Sequence, residues 1–305
     1  MSPRPATALS PMSAGDTRRG FGFALAAYLL WGVLPLYLKA LDHVPLAEVL
    51  AHRIIWSVPV ALLVLFWLGR TADLRAALVA PRVLGMAMVT SALISINWGA
   101  YVWSIQSGQA VEAALGYYIN PLFSILLGAV ILGEKLSARQ WLAVAMAAVA
   151  VAILTIEAGR LPLLALTMTF SWGFYALFKR ALPVGPNQGF TLEVMILTPF
   201  ALAGMVWLQG QGLLHVTRAG AWDVALLLGA GVITAVPLML YANGAKGLTL
   251  STIAIMQYIT PSMIFLIAIF VFGEPFEGAR LVAFPMIWAA LALYSTEILR
   301  RRRAV

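Results

Sequence analysis

The sequence predicts an all-α polytopic membrane protein, with ten transmembrane helices arranged as two inverted repeats of five. Three observations carry that prediction. The 305 residues are 62% hydrophobic and only 10% charged, with a mean hydropathy of +0.92. Soluble domains carry about 25% charged residues. Apolar stretches recur at about 21–40, 46–68, 83–106, 110–132, 139–156, 161–180, 189–208, 222–245, 251–272 and 279–299. Each is near the roughly 20 residues a helix needs to cross hydrocarbon. Finally, one block occurs twice: Tyr118-Ile119-Asn120-Pro121, ending at Gly133-Glu134, and Tyr258-Ile259-Thr260-Pro261, ending at Gly273-Glu274. The shift is 140 positions with no gap.

Taken in order, residues 1–17 are rich in Pro, Ser and Ala and read as a disordered tail. Arg18 and Arg19 anchor a first span that is retained. The first repeat covers 18–158, the second covers 159–300, and 301–305 form a basic tail. Connections are short, as antiparallel neighbours require, and 139–156 is the shortest span. Ten spans put both termini on one side. That side holds fourteen Lys and Arg, from Arg18 and Arg19 through Arg70, Lys135 and Lys246 to Arg300–Arg303. The other side holds four: Lys39, Arg160, Arg218 and Arg280. The excess marks the cytoplasmic face, so both termini are expected inside.

The repeat reaches beyond its central block. Trp31-Gly32 matches Trp172-Gly173 at a shift of 141, and Tyr101 matches Tyr241 at 140. Five spans is an odd number, so the second half enters the membrane upside down. Inverted repeats place a site near the midplane and allow two related conformations, open to either side.

Several chemistries are excluded. There is no cysteine, hence no disulfide, thiol chemistry or thiolate metal site. His43, His52 and His215 are scattered along the chain, so no metal site is expected. Gly128-x4-Gly133-Glu134-Lys135 resembles a phosphate loop, but Glu134 stands where Lys is needed. With no catalytic constellation, the protein is not expected to be an enzyme and no cofactor is implied. The net charge of +8 sits between spans, where it sets topology and does not imply a nucleic-acid partner.

The candidate residues are neutral and polar or aromatic. Asn97, Tyr101 and Ser104 share one face of the third span, with Trp98 beside them. Tyr117, Asn120 and Ser124 share a face of the fourth, and Gln257 and Thr260 occupy the matching positions in the ninth. Ser171 and Tyr175 share a face of the sixth, next to Trp172. In lipid such groups turn inward. They either bond helix to helix or line a weakly polar, aromatic cavity. Tyr241 and Tyr258 extend the set, and Pro121 and Pro261, a matched pair of helix-breaking residues, shape it. Trp31 and Trp172 either face that cavity or mark close packing at the adjacent Gly32 and Gly173. Charge inside spans is scarce. His52 maps onto Glu193, and this pair is the candidate for proton relay. Glu48 and Arg53 read as lying near the outer interface, paired with each other or wet. On that reading no basic residue lies deep enough to clamp a carboxylate.

Each half ends in Gly-Glu before its last helix, at Gly133-Glu134 to Gln140 and at Gly273-Glu274 to Arg280. Together with 48–57, 115–122 and 257–261, these pieces resemble the drug/metabolite transporter superfamily, EamA-type, RarD branch. The resemblance covers roughly 20–300. It implies a ten-helix, basket-like permease of the bacterial inner membrane with a central cavity between the halves. YddG-type exporters of the superfamily move aromatic and other neutral amino acids outward without an obligatory ion, and RarD-type permeases are linked to chloramphenicol sensitivity. The expected function is therefore facilitative export of neutral, aromatic amino acids. The alternative is a proton-coupled drug or metabolite antiporter. Expected partners are the small-molecule cargo and the lipid bilayer, with the chain acting alone or as a homodimer.

Overall fold

A computed structural model describes residues 17–133, 136–245, 247–248 and 250–303. Residues 1–16 of the expected N-terminal tail, Glu134, Lys135 and Lys246 lie outside the described residues, while Thr17 is described. All regular structure among those residues is helical. The helices are α1 (Arg18–Lys39), α2 (Leu46–Trp67), α3 (Thr71–Leu78), α4 (Pro81–Gln106), α5 (Ala110–Leu132), α6 (Ala138–Ala158), α7 (Leu163–Ala181), α8 (Pro186–Gly210), α9 (Ala221–Ala245), α10 (Leu250–Met256), α11 (Ile259–Phe270) and α12 (Arg280–Arg303). Seven of them, α1, α2, α4, α5, α6, α8 and α9, are long and apolar enough to cross a membrane.

Local chemistry sets the boundaries. The Thr17 side chain accepts from the Gly20 amide at 3.0 Å and caps α1. Ser137 and Gln140 form a reciprocal capping box at α6. Pro81 and Pro186 occupy the first turns of α4 and α8, where a missing N–H costs nothing. The expected ninth span is two helices, broken at Gln257 and Tyr258. Pro261 cannot donate to the carbonyl four residues back, and its ring crowds that carbonyl, which belongs to Gln257. The matching Pro121 leaves α5 continuous. The short α3, between α2 and α4, was not expected from the apolar pattern.

The principal packing partners are α1 with α9 and α11, α2 with α8 and α9, α4 with α7 and α8, α5 with α7 and α11, and α6 with α12. Exchanging α1 with α7, α2 with α8, α4 with α9, α5 with α10–α11 and α6 with α12 turns each of these contacts into itself or another of the set. Both ends of the bundle are tied. At one end the Thr17 amide donates to the Gly247 carbonyl at 2.9 Å. At the other, Glu48 accepts from the His215 and Val216 amides, each at 2.7 Å. Glu274 likewise accepts from the Ala110 and Val111 amides, at 2.6 and 2.9 Å. These are the orphan donors of the α5 N-terminus, which hydrocarbon could not satisfy.

Small residues bring the helix backbones together. A Cβ on Gly231 of α9 would sit 2.1 Å from the Trp56 backbone of α2. By contrast, Gly204 of α8 has open space around it. Gly231→Ala is expected to overpack the α2–α9 contact by about 1–3 kcal/mol and lower the melting temperature in detergent. Gly204→Ala, which gains helix propensity without a clash, should leave it unchanged or raise it. Equal effects of the two substitutions would contradict this packing.

Candidate functional site

A cavity of about 990 Å³, its mouth included, lies between the two sets of helices. It is lined by side chains from α1, α2, α4, α5, α7, α9, α11 and the break between α10 and α11. Because Gln257 stands at the break, the non-helical backbone sits where protein or cavity water can satisfy it.

Two aromatic groups form its walls. Tyr28, Trp31 and Tyr241 make one, with ring centroids 5.7–5.8 Å apart. Tyr101, Tyr117 and Trp172 make the other: Tyr117 lies 5.7 Å from Tyr101 and 6.4 Å from Trp172. Trp98 also lines the cavity. Repeat-related residues gather around it. Trp31 and Trp172, Tyr101 and Tyr241, Tyr117 and Gln257, Asn120 and Thr260, and Pro121 and Pro261 all border the same space. Both readings of the tryptophan pair hold, since Gly32 also packs on Met263 and Gly173 on Phe123.

Of the sequence-predicted residues, Asn97, Trp98, Tyr101, Tyr117, Asn120, Trp172, Tyr241, Gln257, Pro121 and Pro261 border the cavity. Asn97 also joins helices: its amide donates to the Met168 carbonyl and Ser171 Oγ, each at 3.1 Å, and accepts from the Tyr117 hydroxyl at 3.4 Å. Tyr175 and Tyr258 do not border it. Tyr175 stands behind Trp172, at 5.5 Å between rings, and donates to Glu193 at 3.2 Å. Tyr258 lines a separate shallow groove with Tyr118 and Ser262. His52 and Glu193 also lie off the cavity. The His52 Nδ1 accepts from the Trp56 indole at 3.0 Å. Glu193 is paired with Lys179 at 2.6 Å.

Sequence reasoning missed Tyr28, Thr234 and, above all, Arg53. The expectation that no basic residue lies deep in a span is corrected here. Arg53 is the eighth residue of α2, about 10 Å along the axis from the helix start. It is 3% exposed and borders the cavity. It does not pair with Glu48, whose carboxylate is taken up by two loop amides. Its Nε donates to Thr234 Oγ1 at 3.1 Å and its guanidinium lies 5.1 Å from the Trp98 ring centroid. Its Nη1 has no hydrogen-bond partner among the described residues, and neither do the Tyr101 hydroxyl and Asn120 Oδ1. One cationic donor, one hydroxyl and one amide acceptor are thus left without partners in residues that border a single aromatic cavity. The available signal was a lone Arg in an apolar span, which is a site by default.

The histidines, scattered in sequence, do not all stay apart in space. The fold brings His43, from the α1–α2 connection, and His215, from the α8–α9 connection, onto Asp223 in the first turn of α9. Their 172-residue separation in sequence hid this.

An unpaired buried cation costs several kcal/mol. Arg53→Met should therefore raise the melting temperature of the cargo-free protein, at roughly 2–4 °C per kcal/mol. A lower melting temperature would show that Arg53 serves the resting fold instead.

A profile of the EamA-like transporter family matches the chain twice, over residues 18–156 and 160–296. An uncharacterized transporter, YojE, of Bacillus subtilis is 41% identical over 96% of this chain and 99% of its own. RarD of Escherichia coli is 35% identical over 96% of this chain and 99% of its own. A Pseudomonas aeruginosa protein named chloramphenicol-sensitive protein RarD is 31% identical over 93% of this chain and 97% of its own. A solved crystal structure shares the fold, with a TM-score of 0.59 at 18% identity over 92% of this chain and 98% of its own.

Proposed function

The chain belongs to the EamA-like transporter family, and from that premise we propose a facilitative permease of the bacterial inner membrane, exporting aromatic and other neutral amino acids by alternating access. The working unit is a pair of inverted five-helix repeats, 18–158 and 159–300, spanning the membrane ten times with both termini cytoplasmic. The double profile match, the exchange symmetry of helix packing and the repeat-related pairs around the cavity support this architecture. The Lys and Arg excess supports the orientation.

One observation carries the cargo assignment: Arg53 and Asn120, whose buried Nη1 and Oδ1 have no partner among the described residues, both border the aromatic cavity. A zwitterionic amino acid answers both. Its carboxylate would accept from Arg53 in a charge-assisted bond, its ammonium would donate to Asn120 and its apolar side chain would lie against Trp31, Tyr241 and Trp172. Nothing in this assignment requires an ion gradient. Binding and reorientation of the two repeats suffice. Drug-like aromatic cargo without a carboxylate would leave the guanidinium unanswered.

The expected result in liposomes preloaded with unlabelled phenylalanine is exchange with labelled phenylalanine at zero ion gradient. Arg53→Met should lower kcat/KM about 10–100-fold, the worth of a charge-assisted hydrogen bond. Phenylalaninol, which lacks the carboxylate, should fail to compete. No exchange by folded protein, or undiminished exchange in Arg53→Met, would sink the assignment. The rival proton-coupled antiporter draws on Glu193, which is linked through Tyr175 to the cavity wall at Trp172. Transport that appears only with a pH gradient and disappears in Glu193→Gln would replace the facilitative reading.

A further inference from the structure

The geometry points to a transition-metal site of the zinc class at His43, His215 and Asp223, placed across the seam between the two halves at the end of the bundle opposite the termini. His43 Nε2 and His215 Nε2 both meet Asp223 Oδ2, at 2.9 and 2.8 Å. Both rings therefore aim one nitrogen each at a common point, with centroids 5.0 Å apart. The three ligand atoms lie within 4.8 Å of one another. Around a tetrahedral Zn²⁺, with bonds of about 2.0–2.1 Å, ligand atoms stand about 3.3 Å apart. The two nitrogen–oxygen contacts would open by about half an ångström to admit the ion, and the two imidazole nitrogens would adjust toward the same separation. Two imidazoles and one carboxylate leave further coordination positions open to water, as borderline-soft divalent ions accept.

The surroundings favour a built site over a chance meeting of surface groups. Asp223 is 19% exposed and His215 25%, while His43, at 46%, is the exposed member of the three. The His215 loop is fixed to α2 because Glu48 takes its backbone amide and that of Val216. Asp42 stands behind His43, with a carboxylate oxygen 3.9 Å from Nδ1, the side from which second-shell carboxylates orient a ligating ring. Asp42 is itself held by Lys39 at 2.9 Å. The ligands come from both halves: His43 follows α1, while His215 and Asp223 sit at the α8–α9 connection. A bound ion would clamp this end and favour the conformation in which it is joined. That consequence rests on the alternating-access reading, whereas the binding does not.

The test uses full-length, tag-free protein stripped with chelator and titrated with Zn²⁺ by calorimetry, and with Co²⁺ by its visible absorption. The chain holds three histidines and no cysteine, so background sites are few. One saturable Zn²⁺ site per chain is expected, with tetrahedral-type Co²⁺ bands and no competition from Mg²⁺ or Ca²⁺. His43→Gln and Asp223→Asn, checked for fold by circular dichroism and size exclusion, should each weaken it about 10-fold or more. His52→Gln, which removes the remaining histidine, should not. Absence of saturable binding, or equal binding in His43→Gln and Asp223→Asn, overturns the site. In liposomes Zn²⁺ should slow wild-type exchange and spare His43→Gln. Tight binding with unchanged exchange keeps the site and overturns its placement on a moving seam.

Discussion

Hydrocarbon offers no hydrogen bonds, so every polar group of a membrane-spanning segment must find its partner within the protein or in a water-lined space. The helix ends obey this constraint through carboxylates that reach across the bundle. Glu48 takes up two amides of the α8–α9 loop and Glu274 takes up the first two amides of α5. Glu274 thereby takes up orphan donors of a helix start, and Glu48 those of a loop, that a soluble protein would leave to water. The same constraint explains the small-residue contacts. With no hydrophobic drive between helices in lipid, close backbone approach, as at Gly231 on Trp56, supplies the dispersion energy and the interhelical bonds that replace it.

Against that background the few groups that break the rule are informative. Arg53 Nη1, Tyr101 Oη and Asn120 Oδ1 are buried without partners, and all three belong to residues that border one cavity. The break in the ninth span falls at Gln257, on the same cavity. Unpaired buried atoms also occur elsewhere, at His52, Asn187, Gln188 and Tyr258, but these three share one cavity, where on the proposed function a carboxylate, an ammonium and an aromatic ring would answer them. On the proposed function, stability given up there would be regained when cargo binds, which would couple binding to the choice between conformations.

Much of the fold was legible in the sequence because a lipid-facing helix must be apolar for its whole length. Stretches predicted at 46–68, 83–106 and 110–132 became helices at Leu46–Trp67, Pro81–Gln106 and Ala110–Leu132. Ten of the candidate side chains reach the cavity because helical spacing gathers them on single faces and the repeat doubles the signal. What stayed hidden depends on rotation and distance. Periodicity cannot say that Tyr175 turns toward Glu193, nor that Tyr258 faces a different groove. It cannot say that Glu48 reaches past Arg53 to a loop some 167 residues away, which is what frees the guanidinium for the cavity. The meeting of His43 and His215 is a tertiary fact with no local trace.

The central claim is that cargo sits between the halves with its carboxylate at Arg53. The most direct measurement is the anomalous scattering of bromine in crystals grown with 4-bromophenylalanine. The account predicts a bromine peak among Trp31, Tyr241 and Trp172, with the carboxylate density on Arg53. A peak confined to the groove at Tyr118 and Tyr258, or a carboxylate turned away from Arg53, would contradict it.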